Sequence, residues 1–221
     1  MAKKKTKLRL LTLAVFVSLL GVIAGIFSQV GPWLAVSDAI PSRIDVIFTF
    51  GGENIRVNYS RDLMRRFPQA HWVISDYAHR YARLLERQGV DMSRVTILDT
   101  CRYTISEVKG FACWLKKQSV APQDHADGLN PADPKNQPAL SMRPLHIALV
   151  SNPLHMRRIK LIAEKIFRDP AIRLHCLPVP AERYGWTRHS ISRWWETRTL
   201  RTWVCLETAK IITFWALFSW R

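Results

Sequence analysis

The chain has 221 residues, of which 48% are hydrophobic and 23% are charged. This composition is close to ordinary globular usage and excludes both a disordered chain and a membrane protein with many spans. The 33 lysines and arginines outnumber the 17 acidic residues and give a net charge of +16, which points to anionic partners such as nucleic acid or lipid headgroups.

The N-terminal region carries the clearest membrane signal. Residues 10–30 contain no charged side chain, and about 20 apolar helical residues are enough to cross the hydrocarbon core of a bilayer. Basic residues crowd the segment before it and few charges follow it, so the positive-inside rule places the N-terminus in the cytoplasm. We expect a basic tail at 1–9, a single-pass inner-membrane anchor at 10–30, a linker at 31–43 and one periplasmic or extracytoplasmic domain at 44–221.

A cleaved signal peptide is the alternative interpretation of the same segment. Its apolar core would be shorter, roughly 7–15 residues, and no small-x-small cleavage site is evident. An anchor is therefore favoured over cleavage. The predicted export argues against nucleic acid as a partner, because nucleic acid is not found outside the membrane. Basic surface beside anionic lipid is a simpler explanation of the positive charge.

Strand-like and helix-like segments alternate along the predicted domain. Short runs of β-branched and aromatic residues predict strands, and the stretches between them repeat apolar residues at helical spacing. Parallel strands need crossover connections, so this order predicts an α/β fold, a Rossmann-like three-layer sandwich with a mostly parallel sheet. The predicted strands are residues 44–50, 71–75, 95–98, 145–150 and 174–179.

Local signals refine three parts of this pattern. Thr104 and Glu107 have the spacing of a capping box, which predicts a helix from Thr104 towards Lys117. Residues 119–144, rich in proline and aspartate, have no apolar periodicity and predict an exposed insertion. Residues 190–221 are helical in pattern and rich in tryptophan; packing onto the sheet is the simpler expectation, and contact with the lipid interface is the alternative.

The four cysteines carry little functional information. No C-x-x-C spacing suggests a zinc site or a redox motif, and we predict no metal site. A helix between Cys101 and Cys113 would hold these two residues farther apart than the roughly 7 Å limit on the Cα spacing of a disulfide. We therefore expect that they do not pair.

Candidate site residues follow from the predicted topology. In an open α/β sheet, ligands bind at the carboxyl ends of the strands, beside the helices that follow. Four segments of this chain occupy that position, and their polar and glycine residues are the candidates for ligand binding. They are Gly51, Gly52, Glu53 and Arg56; Ser75 with Asp76; Thr104; and Ser151, Asn152, His155 and Arg158.

The last of these segments is the most informative. Ser151, His155 and Arg158 recur at helical spacing, so they share one face at the start of a helix. A helix N-terminus offers free amides and partial positive charge, and an imidazole and a guanidinium beside it predict an anionic ligand. His155 is a candidate proton donor, and Asp76 is a candidate acid or base. The alternative is that Ser151 only caps the helix, His155 packs in the core and Arg158 is solvated.

A family resemblance extends this interpretation. The stretches 45–52 and 73–75, the Gly89-Val90 pair, the helix start at Thr104 and above all the segment VSNPLHMRR at 150–158 together resemble the YdcF/SanA/ElyC family. The resemblance covers about residues 44–168. The family's second strand usually ends in Ser-Gly-Gly, where this chain has Ser75, Asp76 and Tyr77.

The resemblance implies a Rossmann-like fold and a role in cell-envelope biogenesis. Peptidoglycan synthesis or polyprenyl-phosphate lipid-carrier metabolism is the implied setting, with a phosphorylated envelope precursor or lipid carrier as the ligand. No cofactor is identified. The alternative function is a non-catalytic binding or scaffold module of the envelope, acting through the tryptophan-rich C-terminal segment.

Overall fold

A computed structural model describes residues 2–76, 80–99, 103–120 and 143–218 of the chain. Five strands and seven α-helices form the described part. The strands are β1 (Val46–Thr49), β2 (His71–Ser75), β3 (Val95–Leu98), β4 (Leu145–Val150) and β5 (Ile172–Cys176). The helices are α1 (Ala2–Leu34), α2 (Asn54–Arg66), α3 (Tyr81–Arg87), α4 (Thr104–Val120), α5 (Met156–Ile166), α6 (Arg188–Ser192) and α7 (Arg198–Phe218).

The strands form one parallel sheet in the order β3-β2-β1-β4-β5. The predicted α/β class and parallel sheet are thus confirmed. The chain winds outward from β1 to β3 and then crosses back to β4, so the strand order reverses between β1 and β4. In open parallel sheets a ligand crevice forms at such a reversal, outside the carboxyl ends of the two strands.

Apolar side chains cover both faces of the sheet. Ile47 points into a cluster that includes residues of α2 and α3, whereas its neighbours Val46 and Phe48 point into a second cluster with residues of α4 and α5. Successive strand residues alternate between the two faces, so one buried strand supplies both cores. The layers are therefore helix, sheet and helix.

A third apolar cluster joins the two ends of the chain. Leu34 at the end of α1 packs with Leu154, with Trp194, and with Leu200 and Val204 of α7. This contact keeps α1 helical to Leu34, four residues beyond the predicted anchor and into the predicted linker. The predicted C-terminal helix exists, but it packs against α1 and α5 instead of directly on the sheet.

Other boundaries differ from the sequence prediction for identifiable reasons. β5 ends at Cys176 because Pro178 has no amide to donate, although Leu177 and Val179 still bond to the β4 segment. The insertion predicted at 119–144 falls largely outside the described residues, since α4 extends to Val120 and the description resumes at 143. Cys101 also lies outside them, whereas Cys113 is a free thiol.

Candidate functional site

A cavity of about 1070 Å³ lies outside the carboxyl ends of the strands, at the reversal between β1 and β4. Strand ends, helix starts and one face of α7 together form its wall. Eight of the residues predicted from sequence line this cavity: Gly51, Gly52, Arg56, Ser75, Asp76, Thr104, His155 and Arg158.

The Gly51-Gly52 turn after β1 is held from two sides. The Gly51 amide donates to Glu107 Oε1 at 3.0 Å, and Arg56 Nη1 donates to the Gly51 carbonyl at 2.6 Å. A Cβ at Gly51 would lie 2.7 Å from the Ser75 carbonyl, and Gly52 has φ +121°, so both positions require glycine. The turn is therefore a fixed part of the cavity wall.

Arg56 and Glu53 support this turn from behind. Arg56 is buried and forms an ion pair with Glu53, whose Oε2 lies 3.0 Å from both Nε and Nη2. The Tyr184 hydroxyl donates to the same Glu53 oxygen at 2.8 Å. Glu53 does not line the cavity, so its place is structural, and it offsets much of the charge that Arg56 brings to the site.

Asp76 and Ser75 end β2 at the cavity, and both are buried. Asp76 Oδ2 accepts a 2.6 Å hydrogen bond from the Tyr81 amide, which fixes the start of α3. One oxygen of this candidate for proton transfer therefore has a structural role.

Glu107 of α4 also lines the cavity. Burial raises the pKa of its carboxyl group, although hydrogen bonds from the Gly51 amide and the Ser75 hydroxyl act to lower this pKa.

His155 lies at the centre of a hydrogen-bonded chain. Its Nδ1 is 3.1 Å from Ser151 Oγ, and its Nε2 is 3.1 Å from Thr104 Oγ1. Arg158 Nη1 donates to the same Thr104 oxygen at 2.6 Å. The sequence predicted that Ser151, His155 and Arg158 share one side of a helix start, and the structure brings Thr104 from α4 into the same group.

The predicted capping box at Thr104 does not form. Thr104 is already the first residue of α4, and its hydroxyl is used by His155 and Arg158. Ser106 Oγ instead accepts from the Tyr103 amide at 3.1 Å, while the Glu107 carboxylate turns to Gly51. Tertiary partners thus outcompete the local cap.

The imidazole of His155 is neutral in this environment. Burial and the positive charges of Arg158, Arg56 and Lys210 hold its pKa well below the ordinary 6.5. Both ring nitrogens have hydroxyl partners, which orient the ring. A neutral imidazole has no readily released proton, so this environment disfavours the predicted proton donor; the ring keeps a lone pair, but the depressed pKa makes it only a weak base.

Asn152 and Ser151 act from behind the cavity wall. Both are fully buried, and Asn152 Oδ1 accepts from the Leu154 amide at 3.0 Å, which starts the short 3₁₀ turn Pro153–His155 before α5. Neither side chain lines the cavity. Their contribution to a ligand site is to position His155.

Helix α7 adds an acidic and a basic residue that the sequence analysis missed. Glu207 is 0% exposed and accepts from Arg158 Nε at 2.8 Å and Nη2 at 3.3 Å. Lys210 Nζ donates to Oε1 of the same carboxylate at 2.9 Å, the oxygen that Arg158 Nη2 also reaches. The sequence does contain a pattern that could have identified Glu207: this residue falls at helical spacing within the apolar face formed by Leu200, Val204 and Ile211. An acidic residue on such a face requires a partner.

Apolar side chains of α4, α5 and α7 also line the cavity, and two of them, Leu206 and Leu217, are largely exposed to solvent. The lining therefore combines hydrogen-bonding and charged groups with hydrocarbon. Its larger apolar members, which we call the apolar wall, are Ile105, Ile162, Trp203, Leu206, Phe214 and Leu217.

Two wider properties bear on function. One helical segment, Leu13–Leu34, is long and apolar enough to cross a membrane. Within the described residues, no group of three or more histidine, cysteine, aspartate or glutamate side chains could hold a metal ion.

Comparison with protein-family models, with curated proteins and with solved structures finds no match to this chain.

Proposed function

We propose that this protein is a membrane-anchored component of cell-envelope biogenesis whose cavity binds an anionic, phosphorylated ligand. In this proposal α1 crosses the inner membrane with its N-terminus in the cytoplasm, and a Rossmann-like domain lies outside. The ligand is a phosphorylated envelope precursor or a polyprenyl-phosphate lipid carrier. The observation that carries the proposal is Arg158, which lines the cavity beside Thr104 and His155 and is accompanied in the lining by three further basic side chains, Arg56, Arg80 and Lys210.

Arg158 is the best placed of these groups to hold a phosphate. Its guanidinium lies on the wall beside Thr104 and His155, so one phosphate could receive hydrogen bonds from several side chains at once. In the described structure Glu207 occupies two of its donors. A guanidinium has five N–H groups, and Glu207 and Thr104 use three of them, so the remaining donors of Arg158 can bond a phosphate beside the carboxylate.

The apolar wall supports a lipid-linked ligand. A soluble sugar phosphate would leave Trp203, Leu206 and Leu217 in contact with water, whereas a hydrocarbon chain would cover them. The candidate span Leu13–Leu34 supports the same class of ligand, since it would bring the cavity near a bilayer.

Proton transfer at His155 is the chemistry that the site could add to binding. The neutral ring can take a proton from a hydroxyl or water held near Thr104, and the Ser151 hydroxyl fixes its orientation.

Two measurements test the proposal. Two reporters are fused after Arg221, one that is active only outside the cytoplasm and one that is active only inside it. The first should be active and the second inactive. The full-length protein in nanodiscs should bind a long-chain polyprenyl monophosphate more tightly than the corresponding polyprenol. Arg158→Gln should weaken binding of the phosphate by about tenfold or more, since it removes charge-assisted hydrogen bonds.

Matched variants separate this effect from a general change in charge. Arg65→Gln alters an exposed arginine at the end of α2, away from the cavity, and should leave affinity unchanged. Glu207→Gln should raise affinity, because it removes the carboxylate that competes for Arg158. Equal affinity for the phosphate and the alcohol, or an active cytoplasmic reporter, would refute the proposal.

A further inference from the structure

A cluster of aromatic rings forms where the end of α1 meets the C-terminal segment. Phe27 of α1 packs against Trp194 with ring centroids 4.4 Å apart and the rings tilted by 44°, and the Trp195 ring centroid lies 6.1 Å from that of Phe27. The Trp194 indole nitrogen also donates to the Phe27 carbonyl at 3.2 Å. Both tryptophans belong to the short 3₁₀ turn Trp194–Glu196.

The end of α1 fits closely against the domain. A Cβ at Gly31 would lie 2.5 Å from the Ile191 carbonyl and 2.7 Å from a Trp194 ring carbon, so the backbones approach as closely as glycine allows. On the other side, Arg157 Nε donates to the Trp33 carbonyl at 2.9 Å and its guanidinium lies 5.0 Å from the Trp33 ring. The helix therefore holds the domain in one orientation.

The position of this contact along α1 sets its depth in a bilayer. The last turn of α1, residues 31–34, packs against the domain, so the part of the helix that can face lipid is the uncharged stretch of residues 10–30. These 21 residues are about 31 Å long, close to the roughly 30 Å of a hydrocarbon core. Phe27 lies about 5 Å before residue 30, so a domain element in contact with Phe27 lies within one helical turn of the level where the helix leaves the hydrocarbon.

The residues around the turn suit that level. Three exposed arginines, Arg193, Arg198 and Arg201, lie around the turn together with the half-buried Trp195, whereas Trp194 is buried against α1. Glu196 is the one acidic residue between positions 188 and 201, and it pairs with Arg193. Tryptophan and arginine are the residues that favour the boundary between hydrocarbon and headgroups, and clustered basic residues attract anionic lipid.

We infer that residues 193–201 form a lipid-binding surface that meets anionic headgroups and, with α1, fixes how the domain faces the membrane. This inference rests on the proposed insertion of α1. It also orients the site, because α1 contacts the Pro153–His155 turn, which carries a cavity residue. The cavity edge of the sheet then faces the bilayer.

Single-cysteine labelling of the full-length chain in nanodiscs tests the surface. A fluorophore is attached at one position, and quenching by lipids with brominated acyl chains reports its proximity to the bilayer. Thr197→Cys places the label within the surface, between Glu196 and Arg198. The native Cys113 is the negative control, since its neighbour Trp114 stacks on His71 at the opposite end of β2. In each single-cysteine variant, every other cysteine except the buried Cys176 is changed to serine. The variant labelled at position 197 therefore also lacks Cys113.

Ser18→Cys, in the middle of the apolar segment, is the positive control for insertion. We expect strong quenching at position 18, clear quenching at 197 and little at 113. Quenching at 18 with none at 197 would overturn the lipid-binding surface while leaving the anchor intact. No quenching at 18 would overturn both this inference and the anchor of the proposed function.

The charge of the lipid provides an independent arm. Quenching at 197 should be greater in nanodiscs with phosphatidylglycerol than in neutral phosphatidylcholine, and Arg198→Gln with Arg201→Gln should remove that difference. Arg65→Gln with Arg168→Gln, at exposed positions elsewhere, should preserve it. Equal quenching at position 197 in the two lipids, in the protein that retains Arg198 and Arg201, would show that the surface does not bind anionic headgroups.

Discussion

Replacing Glu207 by glutamine tests how far the ion pair between α7 and α5 stabilises the domain. The carboxylate is 0% exposed and bridges Arg158 and Lys210, so it ties the C-terminal helix to the cavity wall. Glutamine has nearly the same shape and keeps one acceptor, which limits the change to the loss of charge. The two cations would then lie beside each other with no compensating anion.

The size of the effect follows from how much water can reach the cations. Removing one partner of a fully buried ion pair costs about 3–5 kcal/mol. Here the side chain of Lys210 is 49% exposed and that of Arg158 is 13% exposed towards the cavity, so solvent replaces part of the lost interaction. We expect a loss of about 1–3 kcal/mol in the free energy of unfolding, equivalent to roughly 2–10 °C in Tm for a chain of this size.

Thermal unfolding of the full-length protein in one detergent measures this change. Glu164→Gln is the matched control, because that carboxylate is 55% exposed and lies 3.8 Å from Lys160; its effect should stay within about 0.5 kcal/mol. Equal Tm values for Glu207→Gln and the wild type would show that the buried pair does not stabilise the fold, and the reasoning would fail.

Three further changes have defined outcomes. Gly51→Ala should destabilise the protein by about 1–3 kcal/mol in a denaturant titration, because the new Cβ would meet the Ser75 carbonyl at 2.7 Å. The pKa of His155 is depressed in the folded protein, so below pH 6.5 the unfolded chain binds a proton at this residue that the folded protein does not bind. The wild type therefore loses up to about 1.4 kcal/mol of stability per pH unit as the pH falls below 6.5. His155→Asn removes this group, and the fall in stability should become shallower. Burial raises the pKa of Cys176 to about 12, so at pH 8 a thiol reagent should modify it only after unfolding, long after Cys113.

Each of these outcomes has a control. Gly25→Ala, with nothing within 4 Å of the new Cβ, should not destabilise the domain. His189→Asn, at an exposed position of α6, should leave the pH dependence of stability unchanged. A Gly51→Ala protein as stable as the wild type, an unchanged slope for His155→Asn, or rapid labelling of Cys176 in the folded protein would contradict the corresponding argument.

Local periodicity was enough to predict most of the fold. β2 and β3 begin and end at the predicted residues, because short β-branched runs between turn residues leave few alternatives. The order of strands and helices also required a parallel sheet, and the rule for ligand crevices placed eight candidate residues on one cavity. These features depend on neighbours in sequence and on general topology.

The electrostatics of the site depended on contacts that sequence does not display. Arg158 was predicted to face an anionic ligand, but the carboxylate that it contacts in the structure is Glu207, 49 residues away in the chain. His155 was expected to donate a proton, but the depth of burial and three nearby cations keep it neutral. The charge that a side chain presents to a ligand depends on its solvent exposure and on the charges within a few ångströms, and both of these are set only when distant segments pack together.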